Sequence, residues 1–84
     1  MARFYFDIDD GERLLRDERG AEADSLSEVR EAAIAVLPDM AKDVLPDGDH
    51  RFFSVNVRDE NDQVIFRASL AFNAHWVRPG GATH

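Results

Sequence analysis

Three aspartates in the stretch FDIDDGE, residues 6 to 12, are spaced in a way that could bind a metal ion or carry acid-base chemistry. A calcium loop of the EF-hand type needs acids at its first, third and fifth positions, glycine at the sixth and glutamate at the twelfth. Counted from Asp7, Gly11 takes the fifth position and Glu12 the sixth, so the ligand set is incomplete. We therefore expect no metal site here.

The second chemical interpretation is a catalytic aspartate pair at the end of a first strand. Residues 4 to 9, FYFDID, superficially resemble the nucleophile motif of the haloacid-dehalogenase-like phosphatases. Such enzymes also need a parallel sheet that supplies a phosphate-binding lysine and further acids for magnesium, and this chain has no segments left to build one. Asp7 and Asp9 would lie on one side of a strand, about 7 Å apart, as any residues two apart do. A phosphatase site is not expected.

Other residues with catalytic potential lack a supporting pattern. His50, His75 and His84 have no metal-ligand spacing, and we expect them to be exposed. The four serines have no nucleophile signature, and the absence of cysteine excludes thiolate chemistry and disulfides. We predict no catalytic residue, no cofactor and no enzymatic activity.

The third interpretation of FDIDDGE is a turn, because Asp-Gly between alternating apolar runs is a strong hairpin signal. A two-residue loop would place Asp9 opposite Glu12, two like charges. A three-residue loop, with Gly11 in the left-handed region, pairs Ile8 with Glu12, Asp7 with Arg13 and Phe6 with Leu14. Opposite charges and apolar pairs on matching faces favour this second register, which we predict.

The surrounding sequence predicts two hairpins joined by one helix. Apolar residues alternate from Arg3 to Asp9, and a return strand is predicted in residues 12 to 17. Ser25 and Glu28 have capping-box spacing, which predicts a helix that starts there and ends at Val44 or Leu45. Its packing face is predicted from apolar residues at intervals of three and four: Leu26, Val29, Ala33, Val36 or Leu37, Met40 and Val44.

Turn-forming residues delimit the second half of the chain. Pro38 lies within the helix pattern, so we expect a kink or a brief break near Leu37. Residues 46 to 49 predict a turn after the helix. Alternating strands follow at residues 52 to 58 and 64 to 72, and residues 59 to 62 form the loop between them. Asn61 or Asp62 is the expected left-handed residue of that loop.

These elements predict an α+β domain of β-β-α-β-β order, with a four-stranded antiparallel sheet and one kinked helix packed on one face. Residues 1 to 72 form this single domain, and residues 73 to 84 form a C-terminal tail that we expect to be partly disordered. A chain of 84 residues buries a small core, so a partner subunit would add stability.

The helix leaves the opposite side of the sheet, here called the distal face, without a covering layer. Strand alternation assigns ten residues to it: Arg3, Tyr5, Asp7, Phe52, Ser54, Asn56, Arg58, Ile65, Arg67 and Ser69. Arginine and aromatic residues are enriched in protein interfaces. We therefore predict a homodimer that uses this face, with Arg3, Tyr5, Phe52, Arg58, Ile65 and Arg67 as its contact residues.

Three alternatives for this face stay open. The same residues could bind single-stranded nucleic acid, as in an antitoxin-like or RNA-linked regulator, because bases stack on aromatic rings and arginine binds phosphate. Seventeen acids against ten bases, a net charge of -7, make nucleic acid the second choice. A different protein partner is a further alternative, and a plain solvated sheet face is the third.

The sequence also indicates a compartment. No apolar run reaches 18 residues, and none of signal-peptide length follows Met1. We expect a cytoplasmic protein that makes no use of a membrane.

Several of these segments together resemble a known family. They are residues 3 to 11 (RFYFDIDDG), residues 16 to 22 (RDERGAE), an alanine-rich helix, residues 53 to 60 (FSVNVRDE) and residues 64 to 66 (VIF). The pattern resembles a domain-of-unknown-function family of short proteins found in rhizobia and related alphaproteobacteria, over residues 1 to about 72. The resemblance implies a small cytoplasmic bacterial protein and brings no catalytic residues with it. Pro38 and the tail after Phe72 depart from the family pattern.

Overall fold

The computed structural model describes residues 2–45 and 49–77. The elements in chain order are β1 (Ala2–Asp9), β2 (Leu14–Leu15), β3 (Ala21–Ala23), α1 (Leu26–Val44), β4 (His50–Arg58) and β5 (Val64–Asn73). One helix and an antiparallel sheet confirm the predicted α+β class. The last strand runs to Asn73, one residue beyond the predicted domain boundary.

The sheet has the order β2-β1-β4-β5, and every pair in it is antiparallel. Strand β3 also pairs with β1, so two short strands share the outer edge of β1. The sequence pattern predicts neither β3 nor the shortness of β2, because two or three residues are too few to show alternation. The central pair β1–β4 joins the two predicted hairpins.

The capping box predicted for the start of α1 is confirmed. The Ser25 side-chain oxygen accepts a hydrogen bond from the Glu28 amide at 3.2 Å, and the Glu28 carboxylate accepts one from the Asp24 amide at 2.7 Å. Both bonds satisfy amides that have no partner within the helix. The helix is continuous through Pro38 and ends at Val44, so no break interrupts it near Leu37.

The core lies between α1 and the facing side of the sheet. Its buried residues are Phe4, Val29, Ala33, Leu37, Met40, Ala41, Phe53, Val55 and Val57. The three residues of β4 are fully buried, as expected for a central strand under the helix. The predicted alternation of β1 and β4 is thereby confirmed.

Three residues predicted for the packed side are more exposed than expected. Val64 is 51% exposed because a β-bulge pairs it with Arg58, a residue of the distal face. Leu26 is exposed because the helix starts there, where it borders only a shallow groove with Ala2, Phe4 and Ala23. Leu70 on the outer strand β5 is 40% exposed. The helix therefore covers β4 more completely than β5.

The predicted register of the first hairpin is wrong. Asp9 pairs with Leu14 and Ile8 with Leu15, around a four-residue loop that the Asp10 amide closes by donating to the Arg13 carbonyl at 3.2 Å. The longer loop is stabilised by side chains, because the Asp10 carboxylate accepts hydrogen bonds from the Glu12 and Arg13 amides, each 2.9 Å long. The positive φ predicted for Gly11 is confirmed at 98°.

The second hairpin agrees with its prediction. Asp62 has φ of 67°, so it is the left-handed residue of the loop. The Asp59 carboxylate accepts from the Asn61 amide at 2.9 Å and the Gln63 amide at 3.0 Å. A register shift between Val57 and Arg58 marks a β-bulge next to this loop.

Two further predictions concern residues that are largely outside the described part of the chain. The turn at residues 46 to 49 falls mainly on residues 46–48, which the structure does not describe. The predicted disorder of the tail concerns residues 73 to 84, of which 78–84 lie outside the described residues. His50 and His75 are exposed, as predicted, and His84 lies outside the described residues.

Neighbouring phenylalanines of β4 provide a test of this packing. Phe53 is fully buried and Phe52 is 55% exposed on the other face. We expect Phe53→Ala to lower the free energy of unfolding by about 3–5 kcal/mol, because it leaves a cavity in the core. Phe52→Ala is the matched control and, at a dilution where the chain is monomeric, should change it by less than about 0.5 kcal/mol. Urea denaturation measures both, and equal losses would contradict the assignment of faces.

Candidate interaction surface

Arg58 is the centre of a polar cluster on the β1 side of the distal face. Its guanidinium binds the Asp7 carboxylate through two hydrogen bonds, of 2.6 and 3.1 Å. It also donates to the Asp62 carboxylate at 2.7 Å and to the Asp17 carbonyl at 2.8 Å, and it lies 5.0 Å from the centre of the Tyr5 ring. Arg58 is only 8% exposed. The residue therefore holds the sheet together rather than presenting a charge at the surface.

The loop between β2 and β3 is fixed to the edge of β1 by Asp17. The Asp17 carboxylate accepts a hydrogen bond from the Phe6 amide at 3.0 Å, and the Asp17 amide donates to Asp7 at 2.9 Å. The other oxygen of the Asp17 carboxylate accepts hydrogen bonds from the amides of Arg19 and Gly20, both at 3.0 Å. In the gap between β2 and β3, the Asp17 side chain thus supplies the hydrogen bond to β1 that a paired strand would otherwise supply.

Gly20 lets this loop pack closely against the distal face. Its φ is 75°, and a Cβ at this position would lie 2.8 Å from the Tyr5 ring and 2.9 Å from Cγ of Arg3. Arg3 itself donates to the Arg19 carbonyl at 2.8 Å and forms an ion pair with Glu22 at 3.5 Å. Tyr5 and Arg3 are consequently half-buried contacts of the loop.

Asp62 connects the second hairpin to the same cluster. Its carboxylate binds Arg58, and it also accepts a hydrogen bond from the Arg16 guanidinium at 3.1 Å. These two hydrogen bonds lower the pKa of Asp62. The loops of both hairpins are therefore linked through one arginine.

The pKa values within the cluster follow from its geometry. Burial by itself would raise the pKa of Asp7, but the hydrogen bonds from Arg58 and from the Asp17 amide outweigh it, and the pKa is lowered. Burial opposes ionisation of Asp17 too, and the amides of Phe6, Gly20 and Arg19 lower its pKa. The hydrogen bond to Asp7 raises the pKa of Arg58 further. All three groups are charged at neutral pH.

The structure assigns the aspartates of FDIDDGE to structural roles. Asp7 binds Arg58 and not the predicted Arg13, whereas Asp9 accepts a hydrogen bond from the Gly11 amide at 2.8 Å. Hydrogen bonds from the Glu12 and Arg13 amides lower the pKa of Asp10. Within residues 2–45 and 49–77, no group of three or more histidines, aspartates or glutamates is arranged to hold a metal ion.

The β4–β5 side of the distal face has a different character, and we call three of its exposed residues, Phe52, Ile65 and Arg67, the open patch. Phe52 pairs with Ala71 across the hairpin, and Asn56 pairs with Arg67. Arg67 is exposed, and its guanidinium donates to the Asn56 side chain at 2.6 Å. Ile65 is 41% exposed beside the bulge. Apolar side chains therefore remain in contact with solvent on this side.

The six predicted contact residues thus divide into two groups. Arg3, Tyr5 and Arg58 belong to the polar cluster and its loop, whereas Phe52, Ile65 and Arg67 form the open patch. Residue alternation alone does not show that the loop at residues 16 to 20 covers part of this face. The sequence signal that could have indicated this loop is the spacing of Asp17 and Gly20, because an aspartate that caps a turn often precedes a glycine.

The fold and this surface define a small α+β domain with one helix on an antiparallel sheet. A family model described as "Domain of unknown function (DUF6894)" matches residues 3–71, and the chain belongs to that family. Comparison with curated proteins and with solved structures gave no match. The single helix is too short or too polar to cross a bilayer, and the other described residues contain no helix that could.

The Asp7–Arg58 pair can be tested through its dependence on pH. Asp7→Asn keeps the shape of the side chain but leaves the buried Arg58 without its closest counter-charge. We expect a loss of roughly 2–4 kcal/mol in the free energy of unfolding at neutral pH. Asp39→Asn, at an exposed position of α1, should change it by less than about 0.5 kcal/mol.

The sign of the pH effect follows from the lowered pKa of Asp7. Its stabilisation is complete above the ordinary value of 3.8 and is lost as pH falls below that value through the folded-state pKa. The difference between wild type and Asp7→Asn should therefore shrink in acid. Urea denaturation at neutral pH and below 3.8 measures it. A difference that does not change with pH would show that the carboxylate charge is not its cause.

Proposed function

We propose that this chain is a non-enzymatic interaction module of the bacterial cytoplasm that homodimerises through the distal face, with the open patch as its contact surface. The observation that carries the proposal is the 55% exposure of Phe52, the third residue of the central strand β4. Ile65 is a second exposed apolar side chain, about 20 Å from Phe52 towards the other end of the β4–β5 hairpin. Aromatic and aliphatic residues of this kind anchor protein interfaces.

Charge distribution supports a contact between two copies at this surface. The net charge is -7, yet all seventeen acids lie between residues 7 and 62. The open patch consists of two apolar residues and Arg67, and the strand β5 that carries two of its members has no acid. Two copies can meet there without placing carboxylates against each other.

The polar cluster supports the same proposal by making the surface rigid. Arg58 joins β1, β4 and both hairpin loops through the hydrogen bonds described above. A surface that is already ordered loses less conformational entropy on association. The cluster therefore prepares the neighbouring patch for binding without taking part in the contact.

The part of the proposal that excludes catalysis rests on the shape of the molecule. The apolar groove between α1 and the first hairpin, bordered by Ile8, Leu15, Met40 and Val44, encloses a volume of about 170 Å³. Ligand pockets usually have volumes of about 300–1,000 Å³. The groove is small for a substrate, and of the two aspartates that line it, Asp10 is engaged with backbone amides. A larger recess of about 450 Å³ is bordered by Asp49, Ala74, His75 and Trp76, and only two of these side chains, Asp49 and His75, can titrate.

The nucleic-acid alternative receives less support from these contacts. Two of the three arginines expected to bind phosphate are engaged with carboxylates, Arg58 with Asp7 and Arg3 with Glu22. We expect no salt-dependent retention of single-stranded oligonucleotides on the immobilised chain. A retention that weakens steeply with salt would favour the nucleic-acid role instead.

A charge placed in the open patch tests the homodimer. We expect Phe52→Glu to weaken self-association by at least roughly tenfold, because it buries a carboxylate in an apolar contact. Leu26→Glu is the matched control, since Leu26 is an exposed apolar residue on the helix, away from this face. Sedimentation equilibrium gives the dissociation constants.

The outcomes separate clearly. An oligomer that Phe52→Glu weakens and Leu26→Glu leaves intact supports the proposal. A wild-type chain that is monomeric at high micromolar concentration overturns it. Equal effects of the two variants, or none, would show that the open patch is not the contact.

A further inference from the structure

Strand β5 forms an edge of the sheet along its whole length. It pairs with β4 from His50–Asn73 to Arg58–Val64, and no other strand among residues 2–45 and 49–77 pairs with it. Amide and carbonyl groups of alternate residues on such a strand point away from the sheet. The ten-residue strand β5 therefore presents a row of outward hydrogen-bonding groups from alternate residues.

The opposite edge of the sheet is protected. Strands β2 and β3, of two and three residues, cover the two ends of β1, and the Asp17 carboxylate takes the Phe6 amide between them. Very short edge strands are a common means of preventing unwanted pairing. The two edges thus differ, because one is closed and the other is open.

The sequence of β5 lacks the usual protection against pairing. It contains neither proline nor lysine, its only charge is Arg67, and the β-bulge lies at its first residues. No acid occurs after Asp62 in the whole chain. For two molecules that each carry a charge of -7, the middle of this strand is an approach without carboxylates, because the nearest acids, Asp62 and Asp49, adjoin its two ends.

We propose that β5 pairs antiparallel with β5 of a second copy, centred on Ala68. This arrangement places Phe66 opposite the partner's Leu70, and it would cover the Leu70 side chain that the helix leaves 40% exposed. On the distal side, Arg67 lies opposite the partner's Ser69. Arg67, the single charge of the strand, therefore does not lie opposite the partner's Arg67. Like charges in a directly opposed pair would be destabilising.

The edge contact is compatible with the proposed face contact and does not depend on it. Residues paired about Ala68 lie on matching faces, so both helices project from one side of the joined sheet and both open patches from the other. The four strands of each copy in the order β2-β1-β4-β5 would form one continuous sheet. Two such dimers could then stack through their distal faces into a closed tetramer.

Hydrogen exchange provides the direct test, because the outward amides of β5 gain partners only when the edge is paired. We expect alternate amides within residues 64–73 to exchange fast in dilute solution and to become protected as the concentration rises. A face contact alone would leave these amides without hydrogen-bond partners. Rapid exchange of these amides in the oligomer would overturn the edge proposal.

Two variants at one exposed position test the register. Ser69→Lys places a like charge opposite the partner's Arg67 at two symmetric points, and Ser69→Glu places an opposite charge there. We expect the first to weaken association roughly tenfold and the second to strengthen it. Shifts in the same direction would overturn the register centred on Ala68.

Hydrogen exchange of β5, measured together with the effect of Phe52→Glu on assembly, distinguishes the edge contact from the face contact. If Phe52→Glu abolishes assembly and β5 amides are never protected, the edge proposal fails and the face proposal stands. If Phe52→Glu has no effect while β5 amides are protected in the oligomer, the face proposal fails and the edge proposal stands. A wild-type chain that remains monomeric, with fast β5 exchange at every concentration, overturns both and leaves the edge to a strand of another protein.

Discussion

The paired hydrogen bonds between Arg58 and Asp7 hold together parts of the chain that are far apart in sequence. Asp7 lies on β1 and Arg58 on β4, 51 positions later. Two further donors of Arg58 bind Asp62 and the Asp17 carbonyl, so both hairpin loops are attached to the same group. A nearly buried guanidinium is tolerable only when each donor finds an acceptor, and this requirement fixes the β1 side of the distal face.

The features that the sequence predicted correctly depend on neighbours along the chain. Ser25 and Glu28 are three residues apart, and their spacing alone indicates the helix start that the structure contains. Asp62 adopts the left-handed conformation expected of a loop aspartate. The alternation that buries Phe53, Val55 and Val57 belongs to a single strand. Each of these signals is local, so a sequence is sufficient to show it.

The features that could not be predicted depend on partners distant in the chain. The sequence predicted that Asp7 pairs with Arg13, its neighbour across the hairpin. Arg58 instead donates two hydrogen bonds to the same carboxylate from a position that is less exposed to solvent. Once Asp7 is engaged, Asp10 can close a longer loop by accepting the Glu12 and Arg13 amides, and the register shifts. The same cluster explains why Arg58, which alternation places on an accessible face, is nearly buried.

The acids of this chain are therefore used within the fold, and this determines where a partner can approach. Asp7, Asp9, Asp10 and Asp17 bind a guanidinium or backbone amides on the side of β1, and Asp59 and Asp62 do so in the second loop. Beyond Asp62 the chain has no carboxylate, and this part of it forms the open edge strand β5, which pairs with the strand that carries the exposed Phe52. Because carboxylates repel one another and β5 itself carries none, a strongly acidic protein retains one strand along which two copies can meet.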